Sequence, residues 1–192
     1  MHDFFITQIE DSILVKKKIL EDNQFLEKIL IISNLVINSI KTNNKVIIAG
    51  NGGSAADSQH IAGEFVSRFY FDRPALPALA LTTDTSILTA IGNDYGYEKI
   101  FSRQLEATGN ANDIFLAIST SGNSQNIMEA LKVCKTKKIL SIGLTGNSGG
   151  KMRNHCDYLL NVPSEETPRI QESHILIGHL ICSYVEKNLF GD

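Results

Sequence analysis

Five short apolar runs constrain this chain more than any other feature. They are Val46-Ile47-Ile48-Ala49, Ala78-Leu79-Ala80-Leu81, Ile114-Phe115-Leu116-Ala117-Ile118, Ile139-Leu140-Ser141-Ile142-Gly143-Leu144 and Tyr158-Leu159-Leu160-Asn161-Val162. Each is bounded by polar, glycine or proline residues, and each is continuous rather than alternating, as in strands covered on both faces. Between most of them lie segments of helical period, such as the one carrying Ile127, Met128, Ala130, Leu131 and Val133. Strands alternating with helices predict an α/β fold: a three-layer αβα sandwich around a central parallel sheet of about five strands. A chain of 192 residues holds one such domain, and no internal repeat, low-complexity tract or linker divides it.

Ahead of the first run, the opening forty residues read as helix. The segment Phe25 to Ile40 is apolar on more than one face, through Leu26, Ile29, Leu30, Ile31, Ile32, Leu35, Val36, Ile37 and Ile40. A helix of that kind wants burial on several sides, and a subunit interface is expected, with packing inside one chain as the alternative. A last long helix is expected from Pro168 or Arg169 to Asn188.

Composition excludes several classes. A net charge of −3 gives no basic footprint for nucleic acid, and the short lysine runs at 16–18 and 135–138 read as solvated helix faces or turns. No stretch approaches the roughly 20 apolar residues of a membrane helix. The start, Met1 to Phe5, lacks the features of a secretory signal, so a cytoplasmic protein is expected. Cys134, Cys156 and Cys182 are odd in number and widely spaced, which favours a reducing compartment over a disulfide framework.

In an open parallel sheet, ligands bind beyond the carboxyl ends of the strands, and two loops there carry unusual chemistry. Gly50-Asn51-Gly52-Gly53-Ser54-Ala55 formally matches the dinucleotide fingerprint. The ribose-binding acid that fingerprint needs falls on Asp72, in a turn, so a nicotinamide dehydrogenase is disfavoured. No Gly-Lys-Ser/Thr follows, so it is not a P-loop. Its plainest alternative is a tight turn. Ser119-Thr120-Ser121-Gly122-Asn123-Ser124 places four hydroxyls before a helix, whose free N–H groups and partial positive charge attract anions. A phosphate monoester suits it; the bland reading is that Ser124 only caps the helix. A third loop, Leu144 to Gly150, reads mostly as turn.

His60 and Glu64 stand four residues apart on the helix leaving the first glycine loop and share one face. That spacing suits a metal ion or an acid–base pair, and also an ordinary solvated face. The last helix offers Gln171, His174 and His179. Gln171 and His179 lie about 12 Å apart along a helix and about 80° apart around it. They can share one ion only with both side chains extended, or with a neighbouring chain supplying one. Spacing alone does not choose between His174 and His179, and His179, among Leu176, Ile177, Leu180 and Ile181, also reads as a core histidine.

Taken together, the segments Ala49–Phe65, Ala90–Tyr95, Ala117–Ser124 and Arg169–Glu172, with His174 and His179, resemble the sugar-isomerase (SIS) domain family, and more closely its bacterial phosphoheptose isomerases. The similarity spans essentially the whole chain. It implies a flavodoxin-like SIS domain over residues 1–192, with residues 1–43 an N-terminal helical oligomerisation segment. It implies an isomerase converting sedoheptulose 7-phosphate to D-glycero-D-manno-heptose 7-phosphate, the first heptose precursor for lipopolysaccharide and related surface glycans. By the same resemblance Ser119, Thr120, Ser121 and Ser124 hold the phosphate, and Asn51, Gly52, Gly53, Glu64, Asn93, Asp94 and Gln171 surround the sugar. Glu64 and His179 move protons, and His60, Glu64, Gln171 and His179 hold one Zn2+ per subunit of a homotetramer with shared sites. Neither nucleic acid nor membrane is an implied partner. The family also holds a non-enzymatic regulator that binds the replication initiator DnaA; that alternative is disfavoured by the presence of both Glu64 and His179. Arabinose 5-phosphate isomerases carry a regulatory extension that this length does not accommodate.

Overall fold

The N-terminal helical segment consists of two helices, α1 (His2–Glu21) and α2 (Asn23–Lys41), in a computed structural model that describes residues 2–191. Asp22 makes the break. Its backbone is extended, and its carboxylate accepts the Phe25 N–H at 3.0 Å to cap the second helix. There follow β1 (Val46–Gly50), α3 (Gly53–Val66), β2 (Ala78–Ala80), α4 (Thr85–Tyr95), α5 (Ser102–Thr108), β3 (Ile114–Ile118), α6 (Gln125–Lys137), β4 (Leu140–Thr145), β5 (Tyr158–Asn161) and α7 (Thr167–Phe190). All five expected strands form, within one residue at each end. Helices α4 and α5 carry no signal strong enough to read in advance: α4 has no fully buried residue and so little apolar period.

The sheet is wholly parallel, in the order β2-β1-β3-β4-β5. That is the doubly wound order whose direction of winding reverses between β1 and β3. Gly50 at the end of β1 pairs in register with Ile118 at the end of β3. The glycine loop and the hydroxyl loop therefore leave the sheet side by side, at the crevice where such folds bind ligands.

Alternation along the strands feeds two cores. Val46 and Ile48 of β1, with Ile114, Leu116 and Ile118 of β3, face α1, α2, α3 and α7. Ile47, Ala49, Phe115 and Ala117 face α5 and α6. Of α2, Phe25, Ile29, Ile32, Val36 and Ile37 find their burial inside this chain, while Leu30 and Ile31 stay exposed. The larger apolar face left outward belongs to α1, where Phe4, Phe5, Ile6, Ile9, Ile13 and Leu14 are 49% to 64% exposed and only Val15 and Ile19 are buried.

Candidate active site

The hydroxyl loop runs from the end of β3 into α6 and is braced as a cradle-shaped turn by bonds within it and from the neighbouring loop. Ser124 does not cap α6; its hydroxyl pairs instead with that of Ser119 at 2.9 Å. The Gln125 and Asn126 N–H groups at the start of α6 thus receive no bond from Ser124, while the Ile127 N–H donates to Asn126 Oδ1 at 2.9 Å. Ser121 Oγ accepts the Asn123 N–H at 3.2 Å, and the Asn123 amide donates to the Ser121 carbonyl at 2.9 Å. The third loop, read as a turn, braces this cradle. Gly146 N–H donates to Thr120 O at 2.9 Å, Lys151 N–H to Asn123 Oδ1 at 3.0 Å, and Met152 N–H to Gly122 O at 3.1 Å. Gly122 has φ +64°, and a Cβ there would collide with the Gly149 carbonyl, so the two loops fit only around glycine.

The first loop is joined to the cradle through a pair of amides. Asn126 donates to Asn51 Oδ1 at 2.8 Å, Asn51 donates back to Asn126 Oδ1 at 3.0 Å, and the Tyr97 hydroxyl donates to the same Asn51 oxygen at 3.0 Å. The Asn51 side chain is therefore engaged in holding two loops together. Asn126 and Tyr97 were not anticipated. Asn126 stands two residues after Ser124, and only its burial marks it out.

Two turns into α3, His60 and Glu64 lie together, with His60 Nε2 3.1 Å from Glu64 Oε1. His179 comes to them from α7, its Nε2 3.0 Å from that of His60. The three donor atoms all lie within 4.8 Å of one another. Ligand atoms around tetrahedral zinc, bonded at about 2.0–2.1 Å, stand about 3.3 Å apart, so this donor set fits a divalent cation. His174, the other candidate on α7, is elsewhere. It is fully buried with Nε2 3.2 Å from Thr145 O, and burial lowers its pKa to about 4. The core histidine of this helix is His174, and the site histidine is His179.

Asp57 is a member of this neighbourhood that the sequence reading passed over. Its Oδ2 is buried without a hydrogen-bond partner. Burial raises its pKa, while His60 and His179 pull it back down, which places the carboxylate within their field. An orphaned acid beside two imidazoles is a further feature that fits a bound cation or its solvent. Its position, three residues before His60, was the available signal.

Gln171 lies at the start of the same seam. A Cβ on Gly53 would come to 2.5 Å from Gln171 Nε2, so the amide is packed against the first turn of α3, seven residues before His60. Asn93 and Asp94 are set apart. Both are exposed at the end of α4, and their only recorded side-chain bond is to each other, at 2.8 Å. Thiol chemistry has no place here: burial raises the pKa of all three cysteines, that of Cys156 to about 12.

The SIS domain family model matches residues 10–146. The chain is 62% identical over 190 residues to a phosphoheptose isomerase of Aneurinibacillus thermoaerophilus, covering 99% of this chain and 96% of the relative. It is 64% identical over 181 residues to phosphoheptose isomerase 2 of Campylobacter jejuni, covering 94% and 90%. Phosphoheptose isomerase GmhA from Neisseria gonorrhoeae superposes with a TM-score of 0.91 at 41% identity, covering 97% of this chain and 98% of that one.

Proposed function

The chain belongs to the SIS domain family and, within it, to the phosphoheptose isomerases, and we propose that Glu64 and His179 carry its isomerisation of sedoheptulose 7-phosphate to D-glycero-D-manno-heptose 7-phosphate. The observation that carries this assignment is the meeting of Glu64, His60 and His179 across α3 and α7, on the helix that leaves the ligand crevice.

Ser119, Thr120, Ser121 and Ser124, with the start of α6, hold the phosphate. Binding energy from that remote group positions the reacting carbons. Asn51, Gly52, Gly53 and Gln171 line the sugar from this chain. Asn93 and Asp94, exposed on α4, complete a site shared with a neighbouring subunit. Glu64 takes a proton from C1 of the ketose, leaving an enediolate, and returns it to C2. His179 moves protons between the two oxygens, since an imidazole exchanges protons near neutral pH. Carbon and oxygen each end with the same number of protons they shared at the start.

His60, Glu64 and His179, with Gln171, would hold one Zn2+ per subunit, and Asp57 would orient the imidazoles or a water beside them. Zinc so bound supplies Lewis-acid stabilisation of the enediolate charge. The assembly is a homotetramer. Residues 1–43 of the single SIS domain act as its oligomerisation segment, and the free apolar face of α1 supports that role. Among the described residues no helix is long and apolar enough to cross a membrane, in keeping with work in the cytoplasm on a heptose destined for surface glycans.

The test is turnover of sedoheptulose 7-phosphate followed by NMR, with zinc and with a chelator. Turnover is expected with zinc present. Its absence under both conditions would shift the assignment to a regulatory SIS protein.

A further inference from the structure

One buried ion pair lies outside the catalytic cluster yet is bonded to both helices that form it. Arg73 Nε meets Glu186 Oε1 at 3.0 Å, with side chains only 2% and 1% exposed. Arg73 also reaches the end of α3, where its two terminal nitrogens donate to Phe65 O at 2.7 Å and to Glu64 O at 2.8 Å. These are last-turn carbonyls that the helix itself leaves without partners. Glu186, on α7, accepts the Phe69 N–H at 2.8 Å and the Tyr70 N–H at 2.6 Å. Burial alone would raise its pKa; the bonds from Tyr70, Phe69 and Arg73 outweigh that and hold it below the usual carboxylate range.

The residues tied down by this pair are those around the proton-moving groups. Phe69 lies with its ring 5.5 Å from the His179 ring. Glu186 follows His179 by seven residues, about two turns along the same face of α7. Glu64 is held through its own carbonyl. A buried ion pair is weak evidence for stability, because apolar side chains of similar volume often serve as well or better. Its value lies in direction. A planar guanidinium fork fixes several acceptors at once, which a lysine ammonium does not.

We propose that the Arg73–Glu186 pair is a positioning latch for the isomerase reaction, fixing the end of α3 and the Phe69 ring so that Glu64 and His179 meet in register. The latch rests on the assignment of Glu64 and His179 made above. Arg73 and Glu186 are positioning residues: neither reaches the side-chain atoms of the cluster in a recorded bond.

The direct test is Arg73→Lys in the full-length, zinc-loaded protein. Lysine keeps the charge facing Glu186 and gives up the fork onto the Glu64 and Phe65 carbonyls. The expected result is a folded enzyme with KM within about threefold of the parent and kcat at least about tenfold lower. Zinc affinity, measured by competition with a chromophoric chelator, should fall about tenfold or more. A pair that serves only stability would lower the melting temperature and leave kcat and zinc affinity within about twofold, and that result overturns the latch. Should Arg73→Lys not fold, the double variant Arg73→Met/Glu186→Met removes both buried charges together and is read by the same two measurements. If the parent itself shows no isomerase turnover, the functional assignment fails and the latch for that reaction fails with it, whereas a parent that turns over while Arg73→Lys matches it overturns the latch alone.

Discussion

His60 and His179 face each other with their Nε2 atoms 3.0 Å apart, although 119 residues separate them in the chain and they come from different helices. Two N–H groups cannot point at one another at that distance. Either one nitrogen accepts from the other, or both turn their lone pairs to a common cation. Glu64 Oε1, 3.1 Å from the same His60 nitrogen, adds a third donor atom to that point. The parallel run of α3 and α7 makes the meeting possible, with Gly53 against Gln171 at one end and Phe69 and Arg73 against Glu186 at the other.

Asp57 supplies the first prediction. Its orphaned oxygen stands within the field of both imidazoles. Asp57→Asn should keep the fold and lower zinc affinity about tenfold or more, as loss of a partner behind metal ligands does. Chelator competition measures it; unchanged affinity would remove Asp57 from the site.

The phosphate cradle supplies the second. Ser121→Ala should raise KM for the heptose phosphate about ten- to a hundredfold, the worth of one hydrogen bond to a charged group, with kcat little changed. Inorganic phosphate should weaken as a competitive inhibitor in parallel. An unaltered KM would mean that the anion sits elsewhere.

How much of this was legible in advance follows from which signals are local. Continuous apolar strands and their loops are local, so the sheet, its glycine loop and its hydroxyl loop could be read directly. The choice between His174 and His179 was not, because both lie on one apolar helix and only tertiary packing says which is buried. The same holds for Asn126, Arg73 and Glu186, each with a partner distant in sequence, while Asp57 has only its place three residues before His60 to mark it. Helix α4 escaped because it leaves its residues largely exposed.

His174 gives stability a pH dependence. Its folded pKa of about 4 lies below the ordinary value of 6.5. Between those values the unfolded chain binds a proton that the folded chain refuses. Stability therefore falls as pH drops from about 6.5 to 4, by up to about 3 kcal/mol from this group. Urea midpoints at pH 7 and pH 4.5 measure the loss, and His174→Asn should shrink the difference. An equal slope in the variant would assign the dependence to other groups.

The exposed face of α1 governs assembly in this account. Ile9 and Ile13 are 60% and 59% exposed on it, and burying an aspartate there without a partner is costly. The double change Ile9→Asp/Ile13→Asp should dissociate the proposed tetramer, read as a lower mass by light scattering. A parent that is already monomeric, or a variant of unchanged mass, would remove α1 from the interface.

The most direct measurement of the central claim is the Glu64→Gln variant against sedoheptulose 7-phosphate, followed by NMR beside the parent with zinc present. The account predicts a fall in kcat of about a thousandfold with substrate still bound, since a positioned base contributes roughly 10²–10⁴-fold. Turnover by Glu64→Gln at the parental rate would contradict it.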